Sequence, residues 1–343
     1  MLHTTELIEI KIAIEIDEGC RPEIDRAWDR IEQRLAALPA SLAALGRRFL
    51  AERRPGGSHR DYFSDLAAAP LLYLPLWMRA ALRRAGSWPA DAPEEFVGDL
   101  LCATMWGYFY IRIQDDVLDE RGADARGREQ LLFGNVCVHE MARLFDAATG
   151  GAPAFRAQFE RAWIEFTRCT LEERAQLQSD EPYPRDRFEA HAAKVAFAEA
   201  PLLAVCARAD RGDLAVAVAE LVHRLGVACG LLNDARGFAR DVKNGHRTYL
   251  LARAGWERAG ATAGCGNDEA LPEELRARLY EGGLLGTFYS EAREALQRSA
   301  DAARALGFGP EFERYRARQE RTLDDAERGV LTLSLLRALG PRS

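Results

Sequence analysis

From Arg21 onward the apolar residues of this chain recur at three- and four-residue intervals, and that helical period holds with few interruptions to its end. A hydrophobic repeat near 3.6 almost throughout leaves no period-two segments from which to build a sheet core, so the expected fold class is all-α. The spacing predicts helices over 22–37, 40–53, 70–84, 92–118, 129–147, 154–178, 187–209, 213–243, 247–258, 284–306 and 310–337. Breaks fall where Pro, Gly and Asp cluster, at Arg54–Gly57, Gly122–Gly127, Ser179–Pro184, Arg208–Gly212 and Gly260–Pro272. No Pro/Gly/Ser-rich linker and no internal repeat divides the 343 residues, so 21–343 is expected to be a single-domain helical bundle. One segment departs from the pattern. Residues 7–17, LIEIKIAIEID, alternate in a period of two and predict a short strand. With no sheet to join, residues 1–20 are expected to form an extended N-terminal arm, or to pair their exposed edge with a second copy in a homodimer.

The net charge of −7, with Lys and Arg scattered, argues against a nucleic-acid partner. Seven cysteines, at positions 20, 102, 137, 169, 206, 229 and 265, show no CxxC pair. An odd, dispersed set without a signal peptide points to reduced thiols and a cytoplasmic location. The apolar run APLLYLPLWM holds two prolines and is too short to span a bilayer, so no membrane span is expected.

Two acidic constellations carry the chemistry. The apolar run LLCATMWGYFYIRI leads into Gln114-Asp115-Asp116-Val117-Leu118-Asp119-Glu120. On a helix Asp115 and Asp119 share a face one turn apart, and Asp116 is rotated by about 100°. Carboxylates crowded at the mouth of an apolar helix need a positive partner. Mg²⁺ suits them, because it takes one or two carboxylates and completes its shell with water and substrate phosphate. Reading back along the same face, Ile111, Tyr108, Gly107 and Thr104 are expected to line an apolar pocket, with Gly107 and Thr104 leaving depth for a long hydrocarbon. Trp106 is expected to be plain core. Downstream, in GLLNDARGFARDVKNGHRTYLL, Asn233, Gly237 and Asp241 are spaced i, i+4 and i+8, drifting about 40° per step on one helix face. Gly237 leaves room there for an ion or a water, Arg240 and Lys243 could neutralise a phosphate, and Gly245 is a natural C-cap. Arg187, His191 and Lys194 form a basic stripe at i, i+4 and i+7.

DDVLD resembles the first aspartate-rich motif, DDxxD, of class I isoprenoid synthases. The run Asn233 to Asp241 resembles the second metal motif of class I terpene cyclases, NDxxSxxxE, with Gly237 for the serine, Asp241 for the glutamate and Arg240 as the basic residue before the last acid. Arg314-Tyr315 resembles the late Arg-Tyr pair that reaches the diphosphate when the site closes. The resemblance runs from about residue 60 to about residue 330 and implies the helical terpenoid synthase fold. It further implies a cluster of three Mg²⁺ ions, with Mn²⁺ as a substitute, held by Asp115, Asp116, Asp119, Asn233, Gly237 (through a water) and Asp241. The implied activity is that of a terpene synthase: ionisation of a linear prenyl diphosphate, farnesyl or geranylgeranyl, and cyclisation of the cation to a hydrocarbon or alcohol.

Other features resemble chain-elongating polyprenyl diphosphate synthases, the alternative. DVKNGHRTYL is similar to the stretch after their second aspartate motif, and Lys194 fits their lysine, whereas Arg187 falls near the diphosphate-sensing arginine of the cyclases. Against elongation, the Gly-Gly-Lys-Arg-type segment for the second substrate appears as Gly56-Gly57-Ser58-His59-Arg60, its lysine missing, and the usual arginine pair is reduced to Arg121-Gly122. A fixed diphosphate needs such cationic donors, which favours cyclisation. A non-catalytic prenyltransferase-like subunit ranks third, because both acidic motifs are retained.

Overall fold

The computed structural model describes residues 19–53, 58–64, 70–93, 95–119, 125–257 and 271–338. Among the described residues every regular element is helical, so the chain is all-α. The expected strand over 7–17 lies outside them. The described chain falls into two compact units, one up to Glu160 with Ala198–Ala215, the other Arg161–Phe197 with Val216 onward.

In the first unit, α1 (Arg21–Ala36) begins with Pro22 in its first turn, where no intrahelical N–H is needed. It buries Ile24, Ala27, Trp28, Ile31 and Leu35, one helical stripe. The helices α2 (Ala40–Arg53), α3 (Tyr73–Arg84), α4 (Phe96–Asp119) and α5 (Ala125–Thr149) follow, and α6 (Pro153–Leu177) runs on into the second unit. A 3₁₀ turn, His59–Ser64, lies between α2 and α3 where the periodicity predicts no element. α4 is buried nearly all round over Leu100–Phe109, as a central helix must be. Around it Trp28, Phe49, Phe63, Trp106, Phe109 and Phe133 form one aromatic core, with centroids such as Phe49–Phe109 at 5.6 Å and Trp106–Phe133 at 6.1 Å. Contacts of this kind are worth about 0.5–1.5 kcal/mol each beyond their buried area. Gly107 meets α5 here: an added Cβ would lie 2.7 Å from Met141 Sδ.

In the second unit the predicted helix 187–209 is broken. α7 (Arg185–His191) gives way to a 3₁₀ segment, Ala192–Ala198, before α8 (Glu199–Arg208), which belongs to the first unit. Pro201 explains the restart, because its missing N–H is tolerated only in the first turn of a new helix. The tight segment also receives α9 (Ala215–Asn244) closely: a Cβ at Gly226 would sit 2.6 Å from the Ala192 carbonyl oxygen. The predicted helix 247–258 shrinks to α10 (Tyr249–Arg253), ended by Gly255 at φ +67°. α11 (Glu273–Arg276) and a π turn (Ala277–Glu281), neither of them expected from sequence, precede α12 (Leu284–Ala305) and α13 (Gly309–Ala338). Phe188 stacks on Tyr249 at 4.6 Å and Tyr249 meets Phe288 at 5.4 Å, packing α7, α10 and α12 together.

Two stretches, Arg185–Arg208 and Gly212–Asn244, are long and apolar enough to cross a membrane by length and composition. The window in the first is 67% buried inside the protein, and core helices pass the same test.

Candidate functional site

The apolar stem of α4 carries Asp115 and Asp116 to its C-terminal end, where their side chains are 35% and 26% exposed. Neither stands without a cation. Arg112, one turn back, donates from Nη1 to Asp115 Oδ2 at 3.0 Å and brings Nη2 to 3.5 Å from Asp116 Oδ1. Arg53, the last residue of α2, grips Asp116 with both terminal nitrogens, Nη1 to Oδ1 at 3.1 Å and Nη2 to Oδ2. Its guanidinium also lies 4.5 Å from the Phe49 ring centroid. Sequence reasoning misses Arg53, since nothing local marks one arginine in ERRPGG as the partner of a carboxylate 63 residues away. Asp119 closes α4, and its side chain lies outside the described residues.

Of the residues above this motif, Ile111 and Thr104 are buried, and Thr104 Oγ1 donates to the Leu100 carbonyl of its own helix at 2.8 Å. Tyr108 is half-buried with its ring 5.2 Å from Phe63. Gly107 does not supply open depth, because Met141 fills the space beside it. Trp106 is core, as expected.

On α9, Asn233 is exposed, Gly237 half-buried and Asp241 buried. The helix ends in a Schellman motif, with Gly245 N–H donating to Val242 O at 3.0 Å and His246 N–H to Asp241 O at 2.8 Å. Gly245, at φ +69°, supplies the left-handed residue this turn requires. The backbone of Asp241 is thereby fixed, and its carboxylate folds back over Gly237: an added Cβ there would lie 3.2 Å from Asp241 Oδ2 and 2.9 Å from Arg240 Nη2. Arg240 Nε is 3.5 Å from Asp241 Oδ1. Gly237, Arg240 and Asp241 therefore form one cradle.

Asp234, the aspartate that follows Asn233 in the second motif, is buried and accepts the Leu250 N–H at 3.1 Å, capping α10 from α9. Burial pushes its carboxyl up to about 7; the Leu250 bond and Lys194 oppose that push, while Asp241 and Glu173 add to it. The expected basic stripe is not one face, since the 3₁₀ segment breaks it. Arg187 turns to the end of α6 and the loop after it, donating to Gln176 and lying 3.4 Å from Glu181. His191 pairs with Tyr183 Oη at 2.9 Å, and burial lowers its pKa. Lys194 donates to both Glu173 oxygens at 2.6 and 2.7 Å and acts electrostatically on Asp234 and Cys229 of α9. Arg314 is exposed, whereas Tyr315 is buried against Phe312 at 5.4 Å, with burial holding its hydroxyl well above its usual pKa. In the segment resembling the elongases' second-substrate site, His59 Nε2 lies 2.9 Å from Glu32, and Arg60 donates to Glu32 at 2.7 and 3.0 Å and to Asp29 at 2.7 Å.

Among the described residues no three His, Cys, Asp or Glu side chains converge as a ready-made metal cage. The donor set suits Mg²⁺ all the same, because that ion needs only one or two carboxylates per site and keeps waters and substrate phosphate for the rest. Adjacent, part-exposed Asp115 and Asp116 meet that demand in the first unit; in the second, the Asp241 carboxylate over Gly237 is an oxygen donor shared with the Arg240 guanidinium.

Neither a family model nor a curated protein matches the sequence. Solved structures do. A decaprenyl diphosphate synthase from Rhodobacter capsulatus aligns over 91% of this chain and 96% of its own, at 15% identity and a TM-score of 0.61. The chain has the all-α isoprenoid synthase fold. A geranylgeranyl pyrophosphate synthetase from the archaeon Geoglobus acetivorans aligns over 89% and 99%, at 16% identity and a TM-score of 0.61. A polyprenyl synthase from Caulobacter crescentus, complexed with calcium and isoprenyl diphosphate, aligns over 83% and 95%, at 18% identity and a TM-score of 0.55. All three are described as synthases of prenyl or polyprenyl diphosphates, and the likeness to them is one of fold.

Proposed function

We propose that this chain is a divalent-metal-dependent enzyme that ionises an allylic prenyl diphosphate. The adjacent carboxylates Asp115 and Asp116, ending the apolar helix α4 in a chain that shares its fold with prenyl diphosphate synthases, carry the proposal. Mg²⁺ bound there would act as a Lewis acid on the leaving diphosphate oxygen. Asp115, Asp116 and Asp119 hold metal at one motif; Asn233 and Asp241, with a water over Gly237, hold it at the other. Lys194, held by Glu173 and acting electrostatically on Asp234 of α9, is assigned to the diphosphate ahead of Arg187, which is engaged at the end of α6. Arg240 and Arg314 share that charge, while Tyr315 belongs to the packing of α13. Tyr108 and Ile111 face the hydrocarbon of a farnesyl- or geranylgeranyl-sized substrate, with Thr104 above them. Cys102, Cys137, Cys169, Cys206 and Cys229 are free thiols, in keeping with a reducing cytosol.

Chain elongation with isopentenyl diphosphate is the first form of this activity, supported by the fold neighbours and by Lys194. Cyclisation is the second, favoured by one observation: His59 and Arg60, which would hold the second diphosphate, are engaged by Glu32 and Asp29. Purified protein with Mg²⁺ and farnesyl or geranylgeranyl diphosphate, with and without isopentenyl diphosphate, separates the two by mass spectrometry. A longer diphosphate marks elongation; a hydrocarbon or alcohol from the allylic substrate alone marks cyclisation. No turnover of any prenyl diphosphate would defeat both.

A further inference from the structure

We propose that Arg53 is an exchangeable counter-ion of the first aspartate motif, which holds Asp116 in the free protein and passes to the substrate diphosphate when a metal ion takes Asp116. The proposal rests on the functional reading above and adds to it a diphosphate-binding residue outside both acidic motifs.

Three observations carry it. First, the bond is specific: both terminal nitrogens of Arg53 meet the two oxygens of Asp116, the fork-to-fork arrangement in which guanidinium and carboxylate match best. A diphosphate presents the same pair of oxygens to the same fork. Second, the partners differ in how they are tethered. Arg112 stands one turn from both aspartates on their own helix, so its 3.0 Å bond to Asp115 does not involve α2. Arg53 reaches across from the end of α2, so its link to Asp116 can be broken without disturbing α4. Third, Arg53 and a metal ion compete for the same two oxygens of Asp116, so an ion that takes them displaces the guanidinium. A diphosphate arriving with that ion is an anion to which the released guanidinium can donate. Phe49 under Arg53, at 4.5 Å, keeps the freed cation at the site instead of letting it swing into water.

Exchange predicts effects of opposite sign, which a merely structural ion pair does not. In Arg53→Ala the forked competitor for Asp116 is gone and Arg112 stays at 3.5 Å, so Mn²⁺ alone, followed by its electron paramagnetic resonance signal, should bind about tenfold more tightly than to the wild-type chain, the scale of one hydrogen bond to a charged group. Inorganic diphosphate, titrated calorimetrically in saturating Mn²⁺, should bind at least tenfold more weakly. Arg53→Lys, which keeps the charge and loses the fork, should fall between the two on both measurements, and far-ultraviolet circular dichroism confirms that both variants fold. Unchanged or weaker Mn²⁺ binding in both variants, or unchanged diphosphate binding, overturns the exchange while leaving the prenyl diphosphate function standing. A wild-type chain that binds neither Mn²⁺ nor diphosphate overturns both.

Discussion

Asp234 offers a sharp test of how the second motif is built. Its carboxylate is buried on α9 and caps α10 through the Leu250 N–H, and burial raises its pKa from 3.8 to about 7. A carboxyl whose pKa is higher folded than unfolded stabilises the fold fully below the unfolded value and loses that contribution as pH climbs through the folded one. The wild-type chain should therefore lose stability between about pH 4 and pH 7 on this account. A rise of that size corresponds to about 4 kcal/mol, and relaxation around a buried charge reduces the observable part to about 2 kcal/mol. Asp234→Asn keeps an oxygen for the Leu250 N–H and carries no charge, so it should be free of the penalty. Urea unfolding in EDTA, at pH 5 and pH 8, measures it directly. The variant's advantage over wild type should grow by about 2 kcal/mol from the lower to the higher pH. Parallel curves, or an advantage that shrinks toward pH 8, would show that Asp234 is ionised in the folded protein and that its burial does not govern it.

Gly107→Ala should cost about 1–3 kcal/mol of unfolding free energy, because its methyl must displace Met141 Sδ from 2.7 Å in a packed interface. Thermal or urea melts read that loss, and a neutral result would mean that α4 and α5 are less tightly joined than described. Gly237→Ala should leave stability within about 0.5 kcal/mol, since the Arg240 tip can move, yet weaken Mn²⁺ binding severalfold by pushing on Asp241 Oδ2 at 3.2 Å. Glu32→Gln should release Arg60 and lower the KM for isopentenyl diphosphate severalfold without moving that for the allylic substrate; no change in either would separate Arg60 from the second substrate.

Much of the site is legible in local pattern. Gly245 as a C-cap follows from its place after an apolar helical run, and the structure shows the full Schellman geometry. The adjacency of Gly237 and Asp241 follows from four-residue spacing, and the carboxylate does lie over the glycine. The same spacing misleads where the helix is not continuous. Arg187, His191 and Lys194 share a face only on an unbroken α-helix, and the 3₁₀ segment over Ala192–Ala198 divides them. Gly107 reads as open space because its own helix places nothing there; Met141, from α5, fills it.

What the sequence determined by itself is the all-helical class, most helix positions and the two acidic helix ends, because a 3.6-residue period and its caps are written within a dozen neighbouring residues. What the tertiary structure alone decided is which charges meet: Arg53 with Asp116, Arg60 with Glu32 and Asp29, Asp234 with the start of α10. Those partners lie between 16 and 63 residues apart along the chain. Ion pairing depends on distance in space, and no local periodicity encodes it.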